Sequence, residues 1–219
     1  MIPAPRAIVF DWDNTLVDSW AIIHETLNHT LAEMEHPAWT LAETKARVRQ
    51  SLVTAFPPMF GDNWEKARRI YLDRFEATHL ERLSPLPGAE RLLGQLSGTH
   101  LAIVSNKTGR LLRREVEALG WQHYFGRIVG AGDADCDKPH RAPIDLALTG
   151  SGIAAGEGVW YVGDTEIDVE CAVNAGCVPV LVHGAEHPLA HHRFADLAAL
   201  DAALARGTAD LLPAGQPVG

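Results

Sequence analysis

Two carboxylates, Asp11 and Asp13, stand two residues apart directly after a short apolar run at residues 7–10. The run is Ala-Ile-Val-Phe, which is typical of a strand buried on both faces of a parallel sheet. Open α/β sheets bind ligands at the carboxyl ends of such strands. Two carboxylates about 4 Å apart repel each other by roughly 4 kcal/mol at an effective dielectric constant of about 20, so a cation or a chemical task must compensate. Taken alone, the segment is equally compatible with a turn in which Asn14 is left-handed.

Three further polar segments fall where a sheet edge or a loop is expected. Ser105-Asn106 follows the apolar run at 101–104, and the segment from Gly163 to Asp168 follows the run at 159–162. Between them in the chain, Lys138-Pro139 lies in a predicted loop. Because the carboxyl ends of parallel strands share one edge of a sheet, the segments that end strands are expected to meet the first pair of aspartates.

These four motifs, in this order, resemble the haloacid dehalogenase superfamily of phosphohydrolases, and the resemblance covers nearly the whole chain. Within that superfamily the chain is most similar to small bacterial phosphatases of the phosphoglycolate phosphatase type, in which a helical cap is inserted after the first motif. The resemblance implies a Mg²⁺-dependent phosphatase that hydrolyses a small phosphorylated metabolite through an aspartyl-phosphate. Two alternatives stay open: a sugar phosphomutase, and a non-catalytic, phosphate-binding regulatory protein on the same fold.

The two aspartates of the first motif are the predicted catalytic pair. Asp11 is the candidate nucleophile, because a carboxylate that attacks phosphorus splits one difficult displacement into two easier ones. Asp13 is the candidate general acid, which protonates the leaving oxygen and then activates water. Dehalogenating relatives lack an aspartate at the second position, so Asp13 favours phosphoryl chemistry. The family's sugar phosphomutases share it, so it does not separate the two phosphoryl-transfer activities.

The second and third motifs supply predicted contacts to the phosphoryl group. The Ser105 hydroxyl and nearby backbone amides are expected to hold a phosphoryl oxygen. Asn106 and Lys107 are candidates for further contacts, although both are equally compatible with surface positions before a helix. Lys138 is a compact cation that neutralises the transferring phosphoryl group and the carboxylates around it.

The fourth motif completes a predicted metal site. If Thr165 caps the helix that follows, Asp164 and Asp168 face the same way. Hard oxygen ligands favour Mg²⁺, held by Asp11, the carbonyl of Asp13, Asp164, waters and phosphate. Asp168 either joins this set, directly or through a water, or orients the side chain of Lys138.

An all-helical block separates the first motif from the second. Apolar periodicity predicts one helix from Asp18 or Ser19 to about residue 36, a second from Thr40 that stops before Pro57, and a third from about Asp62. A parallel crossover needs only one helix, so the surplus is interpreted as an inserted domain. The predicted division is a helical cap at 17–83 and a Rossmann-like core at 1–16 and 84–219. Two arginines in the cap, Arg47 and Arg49, are candidates for binding the far end of the substrate.

The rest of the chain alternates strands with helices, which predicts a doubly wound parallel sheet as the core of an α/β fold.

With 219 residues, 47% hydrophobic content and a formal charge of −9, the chain is expected to be a globular protein without a nucleic-acid partner. No apolar run is long enough to span a membrane, and the first strand begins too early to leave room for a signal peptide. Three cysteines without a pairing pattern suit a cytoplasmic location. Nothing in the sequence identifies partner proteins.

Overall fold

The computed structural model describes residues 4–183 and 186–209. Within this part of the chain the strands are β1 (Ala7–Phe10), β2 (Val17–Asp18), β3 (Ser84–Pro85), β4 (His100–Thr108), β5 (Arg127–Ala131), β6 (Val159–Gly163), β7 (Val178–Leu181) and β8 (His192–Arg193). The α-helices are α1 (Trp20–Glu33), α2 (Leu41–Arg47), α3 (Leu52–Phe60), α4 (Trp64–Thr78), α5 (Ala89–Gln95), α6 (Gly109–Ala118), α7 (Ala142–Leu148), α8 (Glu166–Asn174) and α9 (Leu197–Ala209). Short 3₁₀ turns lie at Gly61–Asn63, His79–Arg82 and Trp121–Tyr124.

Six strands form one parallel sheet in the order β5-β4-β1-β6-β7-β8. Strand β1 lies inside the sheet between β4 and β6, and all four of its residues are fully buried. Its side chains alternate between two apolar clusters: Ile8 and Phe10 belong to one, Ala7 and Val9 to the other. Because both faces of the sheet are covered at this strand, β1 is apolar throughout. The predicted doubly wound α/β core is confirmed.

The helices between β1 and β4 pack around an apolar cluster of their own. This cluster joins α1, α3 and α4 through residues such as Leu27, Phe56 and Phe75, and it also takes in Leu111 of α6. Where the chain leaves and re-enters the core, β2 pairs with β3 as a short antiparallel ribbon. The division into a cap at 17–83 and a core at 1–16 and 84–219 stays a prediction, and part of the second core range lies outside the described residues.

The second predicted helix of this block is wrong in its extent. The chain forms two helices, α2 and α3, separated by extended residues, and α3 contains both Pro57 and Pro58. A proline removes an amide donor and usually ends a helix. Here Phe56 and Phe60 on the same helix are buried. The Phe56 ring packs edge-on against the ring of Tyr71 in α4, with 5.8 Å between the ring centroids. Burial of these rings compensates for the missing backbone hydrogen bonds.

No helix in the described part of the chain combines the length and apolar character that crossing a membrane requires.

Candidate active site

The predicted motifs converge at the carboxyl-terminal edge of the sheet. Asp11 follows β1, Ser105 lies within β4 and Asp164 follows β6, and these strands are neighbours. Lys138 reaches the same place from the loop between β5 and α7. All four side chains line one cavity. The parallel register of the central strands therefore brings together residues that are far apart in sequence.

A tight loop after β1 determines where the two aspartates of the first motif lie. Asn14 has a φ of 62°, the left-handed conformation that the sequence suggested, and its backbone amide donates to the carbonyl of Val17 at 2.7 Å. The Asn14 side-chain oxygen accepts from the amide of Ser19 at 3.1 Å. Asparagine tolerates this conformation better than most residues. The loop leaves Asp11 buried and Asp13 half-buried at the cavity.

Lys138 bridges two carboxylates. Its Nζ atom donates to Oδ1 of Asp11 at 2.8 Å and to Oδ1 of Asp168 at 2.7 Å, and all three side chains are nearly inaccessible to solvent. Burial alone would lower the pKa of Lys138, but the two carboxylates outweigh it and hold the pKa well above its ordinary value. The ammonium group is therefore a permanent charge beside Asp11.

The second oxygen of Asp168 is occupied by donors at the start of α8. Oδ2 accepts from the Asp164 amide at 3.2 Å, from the Thr165 amide at 3.0 Å and from the Thr165 hydroxyl at 2.8 Å. A β-carbon on Gly163 would overlap the side chain of Asp168, so a glycine is required there for this approach. With both oxygens engaged, Asp168 lies where it orients Lys138 and caps the helix.

Asp11 and Asp164 are the carboxylates best placed for a cation. Their oxygens and those of Asp168 come within 4.8 Å of one another. Burial raises the pKa of Asp11 to about 7, although Lys138 opposes the shift. Burial, with the charges of Asp168 and Asp11, also raises the pKa of Asp164 well above its ordinary value. Both shifts mean that negative charge here is incompletely offset by the protein, so the donor set fits a hard divalent cation.

Ser105 and Asn106, the two residues of the second motif, have different hydrogen-bond partners. Ser105 is buried and its hydroxyl accepts from the amide of Lys107 at 3.3 Å. The amide side chain of Asn106 pairs with the backbone of Lys138, accepting from its N–H at 3.0 Å and donating to its carbonyl at 3.3 Å. Asn106 therefore fixes the loop that carries Lys138, and this use of its side chain was not foreseen from the sequence.

A second buried lysine pairs with Asp13. The Nζ atom of Lys107 donates to Oδ1 of Asp13 at 2.6 Å and to Oε2 of Glu115 at 2.6 Å. Trp12 donates to the same Glu115 oxygen at 2.6 Å, and His79 donates to Oε1 at 2.7 Å. Sequence reasoning missed Glu115 and His79. The available signal was a glutamate among buried apolar positions of α6, between Leu112 and Val116.

The helical block forms the opposite wall of the cavity. Trp20, Tyr71 and Phe75 contribute aromatic surface there, and Arg49 and Gln50 come from the break between α2 and α3. Arg47 does not reach the cavity, because it lies over the Trp39 ring at 4.5 Å and pairs with Glu43 at 3.4 Å. Of the two predicted arginines, only Arg49 lines the site.

Residues 8–182 match the family model of the haloacid dehalogenase-like hydrolases. A phosphoglycolate phosphatase of Xanthomonas campestris pv. campestris (strain 8004) is 34% identical over 178 residues, which cover 78% of this chain and 80% of the relative. A phosphoglycolate phosphatase of Rhodospirillum rubrum is 34% identical over 192 residues, which cover 81% of this chain and 79% of that protein.

Among solved structures, a superfamily hydrolase from Ehrlichia chaffeensis has a TM-score of 0.69 and 27% identity, and the match covers 95% of this chain and 100% of that chain. The match to the known family thus extends over both the sheet and the helical block.

Proposed function

We propose that this chain, a phosphatase that belongs to the haloacid dehalogenase-like hydrolase family, uses Mg²⁺ and an aspartyl-phosphate on Asp11 to hydrolyse a small phosphorylated metabolite. The observation that carries this proposal is the pairing of Asp11 with Lys138 beside Asp13 at the cavity. It supports a nucleophilic carboxylate whose charge Lys138 offsets in part, next to a second carboxylate that keeps one oxygen available for exchanging a proton.

The first step transfers the phosphoryl group to the protein. An oxygen of the Asp11 carboxylate attacks phosphorus, a new O–P bond forms, and the bond between phosphorus and the leaving oxygen breaks. Asp13, protonated at this stage, gives its proton to the leaving oxygen. Lys138 and the Ser105 hydroxyl hold the phosphoryl oxygens as charge redistributes over them. The alcohol then departs.

The second step restores the protein. Water attacks the phosphorus of the aspartyl-phosphate, and the ionised Asp13 accepts the proton that the water loses. The bond between phosphorus and Asp11 breaks, so that inorganic phosphate leaves and the carboxylate is regenerated. Asp13 is protonated again and ready for the next substrate.

Asp11, the backbone carbonyl of Asp13 and Asp164 are the proposed ligands of Mg²⁺. When bound, the ion neutralises the repulsion between the attacking carboxylate and the phosphoryl oxygens. Asp168 is proposed to act through Lys138, because its two oxygens already accept four hydrogen bonds shorter than 3.3 Å.

A short phosphorylated carboxylic acid, such as phosphoglycolate, is the proposed substrate class. The related phosphatases are named for phosphoglycolate, and Arg49 lies in the cavity wall with no ion pair to another described residue. Its guanidinium is suited to bind a carboxylate at the end of the substrate away from the phosphoryl group. A cytoplasmic location remains part of this proposal.

A screen of metabolite phosphates tests the proposal. The protein is incubated with each phosphate in Mg²⁺ or in EDTA, and released inorganic phosphate is measured. We expect release that requires Mg²⁺, is abolished by Asp11→Asn and is greatest for short phosphorylated acids. Return of the phosphoryl group to a sugar phosphate without release would instead identify a phosphomutase. Binding of phosphates without turnover would identify a regulatory protein.

A further inference from the structure

A buried chain of polar contacts runs from the cavity into the interior through Asp13, Lys107, Glu115 and His79. The Lys107, Glu115 and His79 side chains are 6%, 2% and 0% exposed, whereas Asp13 is 18% exposed. The contacts between successive members are 2.6, 2.6 and 2.7 Å long. Burial of charged groups is costly unless each is paired and hydrogen-bonded. The buried charges of Lys107 and Glu115 must therefore be held by their neighbours in this chain of contacts.

Asp13 is held by one oxygen only. Oδ1 accepts from Lys107, and Oδ2 has no hydrogen-bond partner within residues 4–183 and 186–209. Asp13 also lines the cavity. This geometry suits a group that exchanges a proton with the substrate, because one oxygen fixes the side chain and the other stays available.

Lys107 is itself fixed from three directions. A lysine ammonium is a point charge on a flexible four-carbon stem and does not define a direction by itself. Here Glu115 accepts one of its hydrogens, Asp13 accepts another, and the face of the Phe75 ring lies 4.9 Å away. The carboxylate of Glu115 comes from the rigid helix α6, so it supplies the anchor that a lysine lacks.

Glu115 is anchored in turn. Oε2 accepts from Trp12, a fully buried residue of the first motif, and Oε1 accepts from His79. The other ring nitrogen of His79 is buried without a partner, so its bond to Glu115 is its one side-chain hydrogen bond in the described structure. The histidine ring stacks on Phe75 at 5.1 Å. Trp12 and His79 therefore hold the two oxygens of the Glu115 carboxylate in fixed positions.

We infer that Glu115 is a positioning residue for the reaction: it fixes the ammonium group of Lys107, which fixes the Asp13 carboxylate with one oxygen free toward the cavity. This inference rests on the proposed role of Asp13 as general acid and base. Glu115 is not among the residues that line the cavity. Its effect on the reaction is exerted through Lys107.

Two aryl phosphates of nearly equal size test this inference. The leaving group of 4-nitrophenyl phosphate departs without needing a proton, whereas that of phenyl phosphate depends more strongly on one. Glu115→Gln keeps the shape of the side chain and removes its charge. We expect it to lower kcat/KM for phenyl phosphate by about tenfold or more, and for 4-nitrophenyl phosphate by less than about threefold. The Mg²⁺ concentration that gives half-maximal activity should not change.

Glu117→Gln is the matched control, because Glu117 lies on the same helix and is exposed. It should leave both substrates unaffected. Equal losses of Glu115→Gln on both substrates, or no loss on either, would overturn the inference while leaving the phosphatase proposal intact. Failure of the unmodified protein to release phosphate from any phosphate ester would instead overturn the proposed function. If Glu115→Gln does not fold, His79→Leu is measured in its place. We expect a smaller loss of kcat/KM, confined to phenyl phosphate. An equal loss of kcat/KM on both substrates would contradict the inference.

Discussion

The Nζ atom of Lys138 lies 2.8 Å from Oδ1 of Asp11, although the two residues are 127 positions apart in the chain. The same nitrogen lies 2.7 Å from Asp168, so one buried cation serves two carboxylates. The proposed nucleophile is therefore held by a side chain whose own position depends on the start of α8.

Removing the charge of Asp168 should loosen this arrangement. Asp168→Asn replaces an acceptor of three donors at the start of α8 with a group that cannot accept them all. We expect the free energy of unfolding to fall by about 1–3 kcal/mol and turnover to fall with it. Urea denaturation and phosphate release measure the two effects. Glu170→Gln, at an exposed position of the same helix, is the control and should change neither. Unchanged stability and activity in Asp168→Asn would show that the charge is not needed.

Protons and Mg²⁺ should compete at Asp11 and Asp164. Burial raises the pKa of Asp11 to about 7 and raises that of Asp164 well above its ordinary value. The metal-free folded protein therefore binds protons that the unfolded chain releases above about pH 4. This contribution to stability is complete below about pH 4 and is lost as the pH rises through about 7.

Mg²⁺ takes the place of these protons, so its stabilising effect should grow as the pH rises. Melting temperatures in Mg²⁺ and in EDTA, compared from about pH 5 to about pH 8, measure the effect. We expect a small difference at the acid end and a large one at the alkaline end. A difference that is constant with pH would contradict the assignment of these carboxylates to the metal.

The two predicted arginines provide a matched pair for testing substrate binding. Arg49 lines the cavity, whereas Arg47 lies over Trp39 and pairs with Glu43. Arg49→Ala should raise KM for phosphoglycolate by about tenfold, which is the loss expected for one hydrogen bond to a charged group. It should leave 4-nitrophenyl phosphate nearly unaffected. Arg47→Ala should change neither constant, and equal effects of both substitutions would indicate a role in folding only.

Three central strands of the sheet, β1, β4 and β6, could be predicted from the sequence because each contains a continuous apolar run that is followed by polar residues, whereas β8 consists of His192 and Arg193 and offers no such run. The family prediction is confirmed by the match over residues 8–182. The continuation of α3 through Pro57 and Pro58 could not be predicted, because prolines normally end a helix and the burial of Phe56 and Phe60 is what accounts for it here. That burial depends on contacts with α4, which local sequence does not reveal.

The candidate site was predictable where its residues directly follow the apolar runs of central strands and less so elsewhere. Asp11, Ser105 and Asp164 have a position that the sheet imposes. The contact between Lys138 and Asp168 was one of two alternatives left open by the sequence, and the structure adopts it. Glu115 and His79 lie on different elements and meet only through tertiary packing. A buried glutamate on an apolar helix face was the single hint of that contact.

The most direct test of the account is detection of a phosphoryl group on Asp11. In Asp13→Asn the phosphorylated protein should accumulate, because 4-nitrophenolate leaves without an acid while hydrolysis of the aspartyl-phosphate lacks its base. The variant is incubated with 4-nitrophenyl phosphate and Mg²⁺, quenched with acid, digested and analysed by mass spectrometry. The account predicts one phosphoryl group on the peptide that contains Asp11, and none when Asp11→Asn is added to the variant. Steady release of 4-nitrophenolate by the unmodified protein, with no phosphoryl group on Asp11 in either protein, would contradict it.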